Sequence, residues 1–276
     1  AGKPLLEHQV ELAKKFGFTD LIFFVHYRAD LIENYFGDGQ KFGVRIRHVL
    51  ETEPLGTAGA VRAGFEMLAD RFVVMYGDTL VNVDLERLWN AHEKSGAAAT
   101  LLLHPNDHPF DSDLVEVDAD SRVIAFHNRP HPPNIWRQNL VNAGLYVLEK
   151  SALESVWNSN FKRTSTPRPP ESGIPNLLDF GKDIFPAMVA RGEKLLGYNS
   201  PEVIKGIGTP ARYDRISAQF AAGIVQRSSL ATPQRAVFLD RDGTLIPDRD
   251  CLRSADELEL LPGIAEAVHQ LNLAGW

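Results

Sequence analysis

The sequence is poor in cysteine and methionine and has no long apolar run. Its single cysteine, Cys251, cannot form a disulfide within the chain, which fits a reducing compartment such as the cytoplasm. The longest apolar runs, at residues 21–25 and 101–103, are strand-sized, whereas a membrane span needs roughly 18 residues. No signal peptide is recognisable. The chain starts with Ala, its first methionine is Met67, and it stops just after a predicted helix, so we expect a segment cut at both ends.

Positive charge is also scarce. The 276 residues include 29 Lys and Arg against 36 Asp and Glu, a formal net charge of -7. This charge argues against a dedicated nucleic-acid binder, although a phosphorylated small substrate needs only a local cationic pocket. With 44% hydrophobic and 24% charged residues, the composition excludes a disordered or collagen-like chain. The length suffices for one large domain or two smaller ones.

The order of predicted elements indicates an α/β fold. Helical spacing alternates with strand-sized apolar runs, which predicts a mostly parallel sheet with helices on both faces. The first predicted helices cover residues 4–16, 29–36, 57–68 and 84–94, and the strands cover 21–25, 44–49, 72–76 and 97–103. Next we expect a hairpin over 114–126, a strand over 140–148, a loop over 157–175, a kinked helix over 182–190, a strand over 194–198 and a helix over 210–225.

A second, shorter unit is predicted at the C-terminal end. Residues 226–234, QRSSLATPQ, have the composition of a linker. A strand over 236–239, a polar loop and a helix over 263–273 follow the linker. We therefore divide the chain into a domain at 1–225, the linker, and an incomplete domain at 235–276.

A glycine-containing segment, EPLGTAGA at residues 53–60, lies at a predicted strand-to-helix junction. Glycine lets the backbone approach a ligand closely, and a helix N-terminus offers free N–H groups to an anion or a base edge. A tight turn with Thr57 as the helix cap fits the same residues equally well. The local pattern leaves both interpretations open.

Asp78 follows a predicted buried strand in the string YGDT. Ligands of open parallel sheets lie at the carboxyl ends of the strands. A carboxylate there is well placed to hold Mg²⁺, which takes one or two carboxylates together with phosphate oxygens. Asp84 immediately precedes a helical run and is the better helix cap, so Asp78 is the candidate metal ligand.

Two His-x₃-His pairs occur at residues 104–108 and 127–131. A zinc site is one interpretation, but Pro105 and Pro130 interrupt both segments and disfavour a helical pair. Polar loops at the rim of a sugar pocket are the favoured interpretation. Arg129 is then a fixed cation suited to phosphate.

The string FLDRDGTL at residues 238–245 is the most specific pattern in the chain. It places Asp240 and Asp242 two residues apart after an apolar segment. One carboxylate can attack phosphorus while Mg²⁺ offsets the repulsion between anions, and the other can act as acid and base. A calcium loop is the alternative, but the residues that follow lack EF-hand spacing.

These strings resemble two known families joined in one chain. Residues 1 to about 225 resemble sugar-1-phosphate nucleotidyltransferases, whose Rossmann-like sheet is of the GT-A type; the matching strings are GKPLLEHQ, EPLGTAGAV, YGDTLVNVDL, NAGLYVL, DFGKDIFP and IGTPARY. Residues 235–276 resemble the first strand-loop-helix unit of a haloacid-dehalogenase (HAD)-like phosphatase of the histidinol-phosphate or heptose-bisphosphate type, through AVFLDRDGTLI and ELLPGIAEAVHQLNLAG. The combination resembles bifunctional heptose enzymes of lipopolysaccharide synthesis.

The resemblance implies roles for individual residues. Gly56, Thr57 and Gly59 would line the nucleobase pocket, and Asp78 would bind Mg²⁺ between a nucleoside triphosphate and a sugar phosphate. The residues that would face the sugar or its phosphate are Arg129, Asn142 and Gly144. In the phosphatase segment, Asp240 would be the nucleophile and Asp242 the acid/base, and both would hold Mg²⁺.

The implied reaction is attack of a sugar 1-phosphate, such as heptose 1-phosphate, on the α-phosphorus of a nucleoside triphosphate, with loss of pyrophosphate. Three departures weaken the match. The glycine-rich triphosphate loop of the family would lie before residue 1 and is not in this sequence. Gly206 stands where the family has a second Mg²⁺ carboxylate. The later phosphatase motifs would lie beyond Trp276. A phosphatase with a decayed transferase-like module, and a nucleotide-sugar sensor without turnover, are the alternatives.

Overall fold

The computed structural model describes residues 2–106, 109–132, 135–158, 177–233, 235–248, 252 and 254–276. Cys251, His108 and most of the loop predicted at 157–175 lie outside the described residues. The chain divides into two compact units, Ala1–Ser229 and Leu230–Trp276. None of the helices in the described part of the chain is long and apolar enough to cross a membrane.

The N-terminal part of the first unit forms a small two-stranded sheet. Its elements are α1 (Leu5–Lys15), β1 (Asp20–Val25), α2 (Ala29–Phe36) and β2 (Arg45–Leu50). All four agree with the predictions to within a residue or so at most ends, and β1 pairs with β2 in parallel. The continuous apolar run at 21–25 is typical of a buried strand, but only Val25 is buried, because this sheet has just two strands.

Six further strands form the main sheet of the first unit. They are β3 (Arg71–Met75), β5 (Ala99–His104), β6 (Leu114–Val117), β7 (Val123–His127), β8 (Val141–Glu149) and β9 (Leu195–Asn199). The spatial order is β7-β6-β8-β5-β9, with β3 also paired to β8. The α/β class is confirmed. The pairing is mixed rather than mostly parallel, because β8 runs antiparallel to β3, β5 and β6 and only β5–β9 is parallel.

A second short sheet pairs β4 (Thr79–Asn82) with β10 (Val203–Gly206) in antiparallel register. The remaining helices of the unit are α3 (Thr57–Ala63), α4 (Leu85–Ser95), α5 (Lys150–Asn158), α6 (Phe185–Ala190), α7 (Pro210–Ala221) and α8 (Ile224–Arg227). The single helix predicted at 210–225 is confirmed over 210–221 and is wrong at its end. It is broken into α7 and α8 at Gly223, whose φ of 71° lies in the left-handed region.

The core of the first unit lies on both faces of β5 and β8. Leu101, Leu103 and Tyr146 pack on one face, and Leu102 and Val147 pack on the other. All five are fully buried, and burial of each apolar side chain stabilises the fold by about 1.5–3 kcal/mol. The two strands thus form a rigid centre whose ends carry the candidate site.

The second unit contains one α-helix, α9 (Ile264–Leu273), and a short 3₁₀ turn at Ala255–Glu257 within its described residues. The strand predicted at 236–239 is wrong: this segment has no strand pairing, and Phe238 is 96% exposed. A strand needs a neighbour to satisfy its backbone groups, and the described residues of this unit offer only an isolated bridge between Asp242 and Ile246.

Candidate active site at one edge of the main sheet

Three strand ends meet at one edge of the main sheet. Tyr76 follows β3, His104 ends β5, and Asn142 lies near the start of β8, which runs in the opposite direction. A cavity of about 250 Å³ opens at this edge. Its polar lining includes Asp78, Asn142, Lys205, Arg212 and Arg215.

Asp78 lies in a turn that is held from below. The buried side chain of Gln9 donates a hydrogen bond to the carbonyl oxygen of Tyr76 at 2.8 Å. The amide of Ile207 donates to the carbonyl oxygen of Asp78 at 2.9 Å. The carboxylate itself is exposed and accepts only from the hydroxyl of Thr79, at 3.2 Å, among the described residues. The turn therefore fixes the backbone and leaves the carboxylate open to the cavity.

Asp84 takes the capping role that the sequence assigned to it. It is the N-cap of α4, and its Oδ1 accepts from the amide of Arg87 at 3.0 Å. The prediction that Asp84 rather than Asp78 caps a helix is confirmed. Asp78 as a metal ligand stays a prediction.

Mg²⁺ is the metal that the family resemblance implies for Asp78. Within the described residues, no three His, Cys, Asp or Glu side chains converge as a protein-only metal cage requires. Mg²⁺ keeps several waters and often takes one or two carboxylates plus substrate phosphates. The single exposed carboxylate of Asp78 fits a metal ion that is shared with phosphate oxygens.

The glycine-containing segment forms the start of α3. Gly56 has a φ of 81°, and a Cβ there would lie 2.6 Å from the carbonyl oxygen of Leu178. The amides of Ala58 and Gly59 donate to that same oxygen at 2.9 and 3.2 Å. These two N–H groups are therefore engaged within the protein and are not free donors, as one of the two interpretations of this segment would require.

The interpretation of this segment as a tight turn with Thr57 as the helix cap is wrong in one respect, because Thr57 is the first residue of α3 and not its cap. Its hydroxyl donates to the carboxylate of Asp179 at 2.9 Å and accepts from the amide of Phe180 at 3.0 Å. Gly56, Thr57 and Gly59 do not line the cavity at Asp78. Their role in binding a nucleobase stays a prediction.

Two tyrosines connect this segment with the cavity. The hydroxyl of Tyr146 donates to that of Tyr76 at 3.2 Å. Burial, followed by the negative charge of Asp179, raises the pKa of Tyr76 to about 12, against a weaker effect of its hydrogen bond with Thr57. The Tyr76 phenol is therefore neutral at physiological pH. The sequence pattern does not point to either tyrosine, because the residues that the two side chains bring together lie far apart in the chain.

Asn142 and Gly144 both line the cavity, as expected for residues that face a sugar. Gly144 has a φ of 73°, and a Cβ there would lie 2.6 Å from the ring of Tyr76. Asn142 Oδ1 accepts from the amide of Gly144 at 3.3 Å. Glycine is thus required at position 144 by the backbone and by the packing of Tyr76.

Arg129 is not among the residues that line this cavity. Its amide donates to Asp113 Oδ1 at 3.0 Å. The described histidines of the two pairs contact protein groups: His104 contacts Pro105 O, His127 contacts Glu116 and His131 contacts Ser112 O. These contacts give the zinc interpretation no support.

Three cations at the cavity were missed in the sequence. Lys205 lies in β10, and Arg212 and Arg215 lie one turn apart on α7. Thr209 caps α7 by accepting from the amide of Arg212 at 3.3 Å. The spacing of the two arginines, which places them on one helix face, was the available signal.

Gly206 lies opposite Thr79 in the β4–β10 pair, beside Asp78. A Cβ built at this position has no heavy atom within 4 Å. The position where the resemblance implies a second carboxylate is therefore open space at the cavity, without any steric reason for glycine.

In the second unit, the guanidinium of Arg241 pairs with the carboxylate of Asp242 in a bidentate manner, at 3.0 and 2.7 Å. This hydrogen bonding lowers the pKa of Asp242. Asp240 Oδ1 accepts from the amide of Arg241 at 2.9 Å. Asp242 is thus occupied by its neighbour, and a catalytic role for either aspartate stays a prediction.

Comparison with known proteins identifies relatives of the chain. A family model described as nucleotidyl transferase matches residues 1–221. The chain is 29% identical over 248 residues to a mannose-1-phosphate guanylyltransferase of Mycobacterium tuberculosis, covering 89% of this chain and 64% of that protein. It is 32% identical over 173 residues to a D-glycero-alpha-D-manno-heptose 1-phosphate guanylyltransferase of Campylobacter jejuni, covering 58% of this chain and 74% of that protein. The chain thus spans less than two thirds of the length of the first of these relatives.

The fold is shared with solved structures. The crystal structure of HddC from Yersinia pseudotuberculosis matches with a TM-score of 0.62 at 21% identity, covering 79% of this chain and 86% of that one. At this identity the match supports the α/β architecture of the first unit.

Proposed function

The chain belongs to the nucleotidyl transferase family, and we propose that it transfers a nucleotidyl group from a nucleoside triphosphate to a sugar 1-phosphate. The observation that carries the proposal is the cavity in which Asp78, Asn142, Gly144 and three cations meet. A carboxylate beside cations and sugar-facing groups is the arrangement that phosphoryl-type transfer needs, because the chemistry depends on positioning and charge neutralisation.

In the proposed reaction, a phosphate oxygen of the sugar attacks the α-phosphorus of the triphosphate, and pyrophosphate leaves. Mg²⁺, when bound at Asp78, supplies positive charge to the phosphate oxygens. Gln9 keeps the turn at Asp78 in place, Asn142 offers its amide to the sugar, and Lys205 and Arg212 add charge at the acceptor. Tyr76 remains protonated and is hydrogen-bonded to Tyr146.

Guanosine triphosphate and heptose 1-phosphate are the substrates that we propose in particular. Two relatives named above are guanylyltransferases, one for mannose 1-phosphate and one for a manno-heptose 1-phosphate. Both names specify an acceptor sugar of the manno configuration. The proposal follows from those names and from the sequence resemblance to heptose enzymes.

A second candidate is that the second unit contributes to a phosphatase for sugar bisphosphates without sufficing for that activity by itself, and a third is a transferase-like module without turnover. The phosphatase is favoured by the DRDGT string and by its ordered turn, in which the amide of Gly243 donates to Ile246 O at 2.8 Å. The module without turnover is favoured by Gly206. Coupling of a phosphatase to the transferase would supply a sugar 1-phosphate from a bisphosphate.

The test is a turnover assay of the chain with each of GTP, UTP and dTTP against heptose, mannose and glucose 1-phosphates, with Mg²⁺ and pyrophosphate detection. Asp78→Asn should lower turnover by about 10²-fold or more with little change in stability. Asp30→Asn, an exposed aspartate on α2, is the matched control and should leave turnover unchanged. No turnover with any pair would contradict the function, and full turnover of Asp78→Asn would contradict the role of Asp78.

A further inference from the structure

We infer that Lys205, Arg212 and Arg215 hold the phosphate of the acceptor sugar directly, so that acceptor binding needs no metal ion. The inference rests on the proposed function and assigns a subsite within it. It starts from the charge of the cavity: the described lining has these three cations and one carboxylate, Asp78, a formal charge of +2. The chain as a whole carries -7, so the cavity has a charge opposite in sign to that of the chain.

The fold fixes the three cations at one place. Lys205 precedes Gly206 at the end of β10, which pairs with β4 next to Asp78. Helix α7 begins four residues after Gly206, and Arg212 and Arg215 lie in its first two turns. Ile216 of the same helix is buried against Leu80 of β4, so α7 is anchored to the strand that follows Asp78.

Two of the cations have no carboxylate partner. Lys205 and Arg212 form no ion pair with any described residue, although both are half-buried. Arg71, which lies away from this cavity, is by contrast paired with Glu93 and Glu149. Unpaired cations that face a cavity favour an anionic ligand, and a guanidinium binds phosphate oxygens in a bidentate manner.

The size and lining of the cavity select the acceptor rather than the nucleotide. A volume of about 250 Å³ lies below the roughly 300–1,000 Å³ of sites for larger ligands, and it suits a monosaccharide phosphate. Asn142 and Gly144 line the same cavity, whereas the segment predicted for the nucleobase does not.

The experiment measures binding in the absence of metal and nucleotide. Mannose 1-phosphate, inorganic phosphate and mannose are titrated into the full chain in EDTA by isothermal calorimetry. Both phosphates should bind and mannose should not. Lys205→Ala and Arg212→Ala should each weaken binding by about tenfold or more, and Arg212→Lys should restore part of it. Lys94→Ala and Arg45→Ala remove the same charges at exposed positions on α4 and β2 and should have no effect.

The outcomes separate this inference from the proposed function. Absence of phosphate binding in EDTA, or equal binding by Lys205→Ala, Arg212→Ala and their controls, overturns the inference even if the chain turns over. Metal-free binding that is lost in both variants, with unchanged melting temperatures, supports the inference even if no substrate pair gives turnover. In an active chain, the two variants should raise the KM for the sugar phosphate and leave the KM for the triphosphate unchanged.

Discussion

The hydroxyl of Thr57 donates a hydrogen bond to the carboxylate of Asp179, 122 positions farther along the chain, at 2.9 Å. Thr57 opens α3 in the segment predicted to bind a nucleobase, and Asp179 caps the helical turn at Phe180–Ile184. Asp179 also contributes to the raised pKa of Tyr76, after burial. The predicted nucleobase segment and the sugar-facing cavity are thus parts of one hydrogen-bonded structure.

Thr57→Val should disturb this structure without changing the size of the side chain. It leaves the amide of Phe180 without its acceptor and one oxygen of Asp179 without its donor. We expect a loss of about 1–3 kcal/mol in the free energy of unfolding and a higher KM for the triphosphate. Thr57→Ser keeps the hydroxyl and is the control. Equal stability and equal KM values for the Val and Ser variants, by urea denaturation and initial rates, would contradict this role.

Gly206→Asp should increase the affinity for metal. A Cβ at position 206 meets no heavy atom within 4 Å, so the substitution should change stability by less than about 0.5 kcal/mol. The new carboxylate lies beside Asp78 and gives the metal a second charged ligand. We expect tighter Mn²⁺ binding by electron paramagnetic resonance, or higher activity at low Mg²⁺.

Gly208→Asp is the control for Gly206→Asp, because position 208 also has nothing within 4 Å. It adds the same charge two residues away. If both variants bind Mn²⁺ like the original chain, either another group already supplies the ligand or position 206 is remote from the metal.

The sequence predicts the elements with clear periodicity and misses those defined by tertiary contacts. Helix α2 and the cap at Asp84 are correct because their signals are local. Strands β4 and β10, of four residues each, are missed, since so short a run has no distinguishable period. The antiparallel direction of β8 depends on its partners, and no spacing in the chain reveals it.

The candidate site shows the same division. Asp78 was found because a carboxylate after a strand is a local pattern. Tyr76, Lys205 and Arg212 were missed, since each acquires its role from a neighbour in another element. Arg129 does not line the cavity. Its position depends on the geometry of the hairpin, and the sequence carries no signal for that geometry.

The second unit should release no phosphate from a sugar bisphosphate in the 276-residue chain. Asp242 is paired with Arg241, and the segment at 236–239, which would have to present Asp240, forms no strand. The measurement is phosphate release with Mg²⁺, using the Asp240→Asn variant for comparison. Clear Mg²⁺-dependent release that is lost in this variant would show that the segment works as it stands.

His92 should make stability depend on pH in the mildly acidic range. It is 1% exposed, and its ring nitrogens contact Thr100 Oγ1 at 2.8 Å and Glu149 Oε1 at 3.0 Å. Burial is the main cause of its lowered pKa; Arg71 lowers it further, while Glu149 and Glu93 oppose the shift. The folded chain therefore favours neutral His92, whereas the unfolded chain takes up a proton near the ordinary value of 6.5.

The sign follows from the proton balance. As pH falls below about 6.5, the unfolded state binds the proton first, so stability is present above this pH and is lost below it, by at most about 1.4 kcal/mol per pH unit for one group. Glu149 also has a lowered pKa, because hydrogen bonds from Arg71 and His92 outweigh its burial, and its contribution is lost only at lower pH, from about 4.5 downwards. Measurements between pH 7.5 and 5.5 therefore exclude the contribution of Glu149.

His92→Gln removes the titrating ring and keeps a neutral hydrogen-bonding group. It should cost about 1–3 kcal/mol at pH 7.5 and should flatten the fall in the free energy of unfolding between pH 7.5 and 5.5, as measured by urea denaturation. His8, whose pKa is lowered by burial and by Lys3, should retain a residual slope. His26→Gln, at an exposed position, should keep the slope of the original chain. If the His92→Gln variant has the same slope as the original chain, protonation of His92 does not oppose folding. The buried ring would then bind its proton as readily in the folded chain as in the unfolded one.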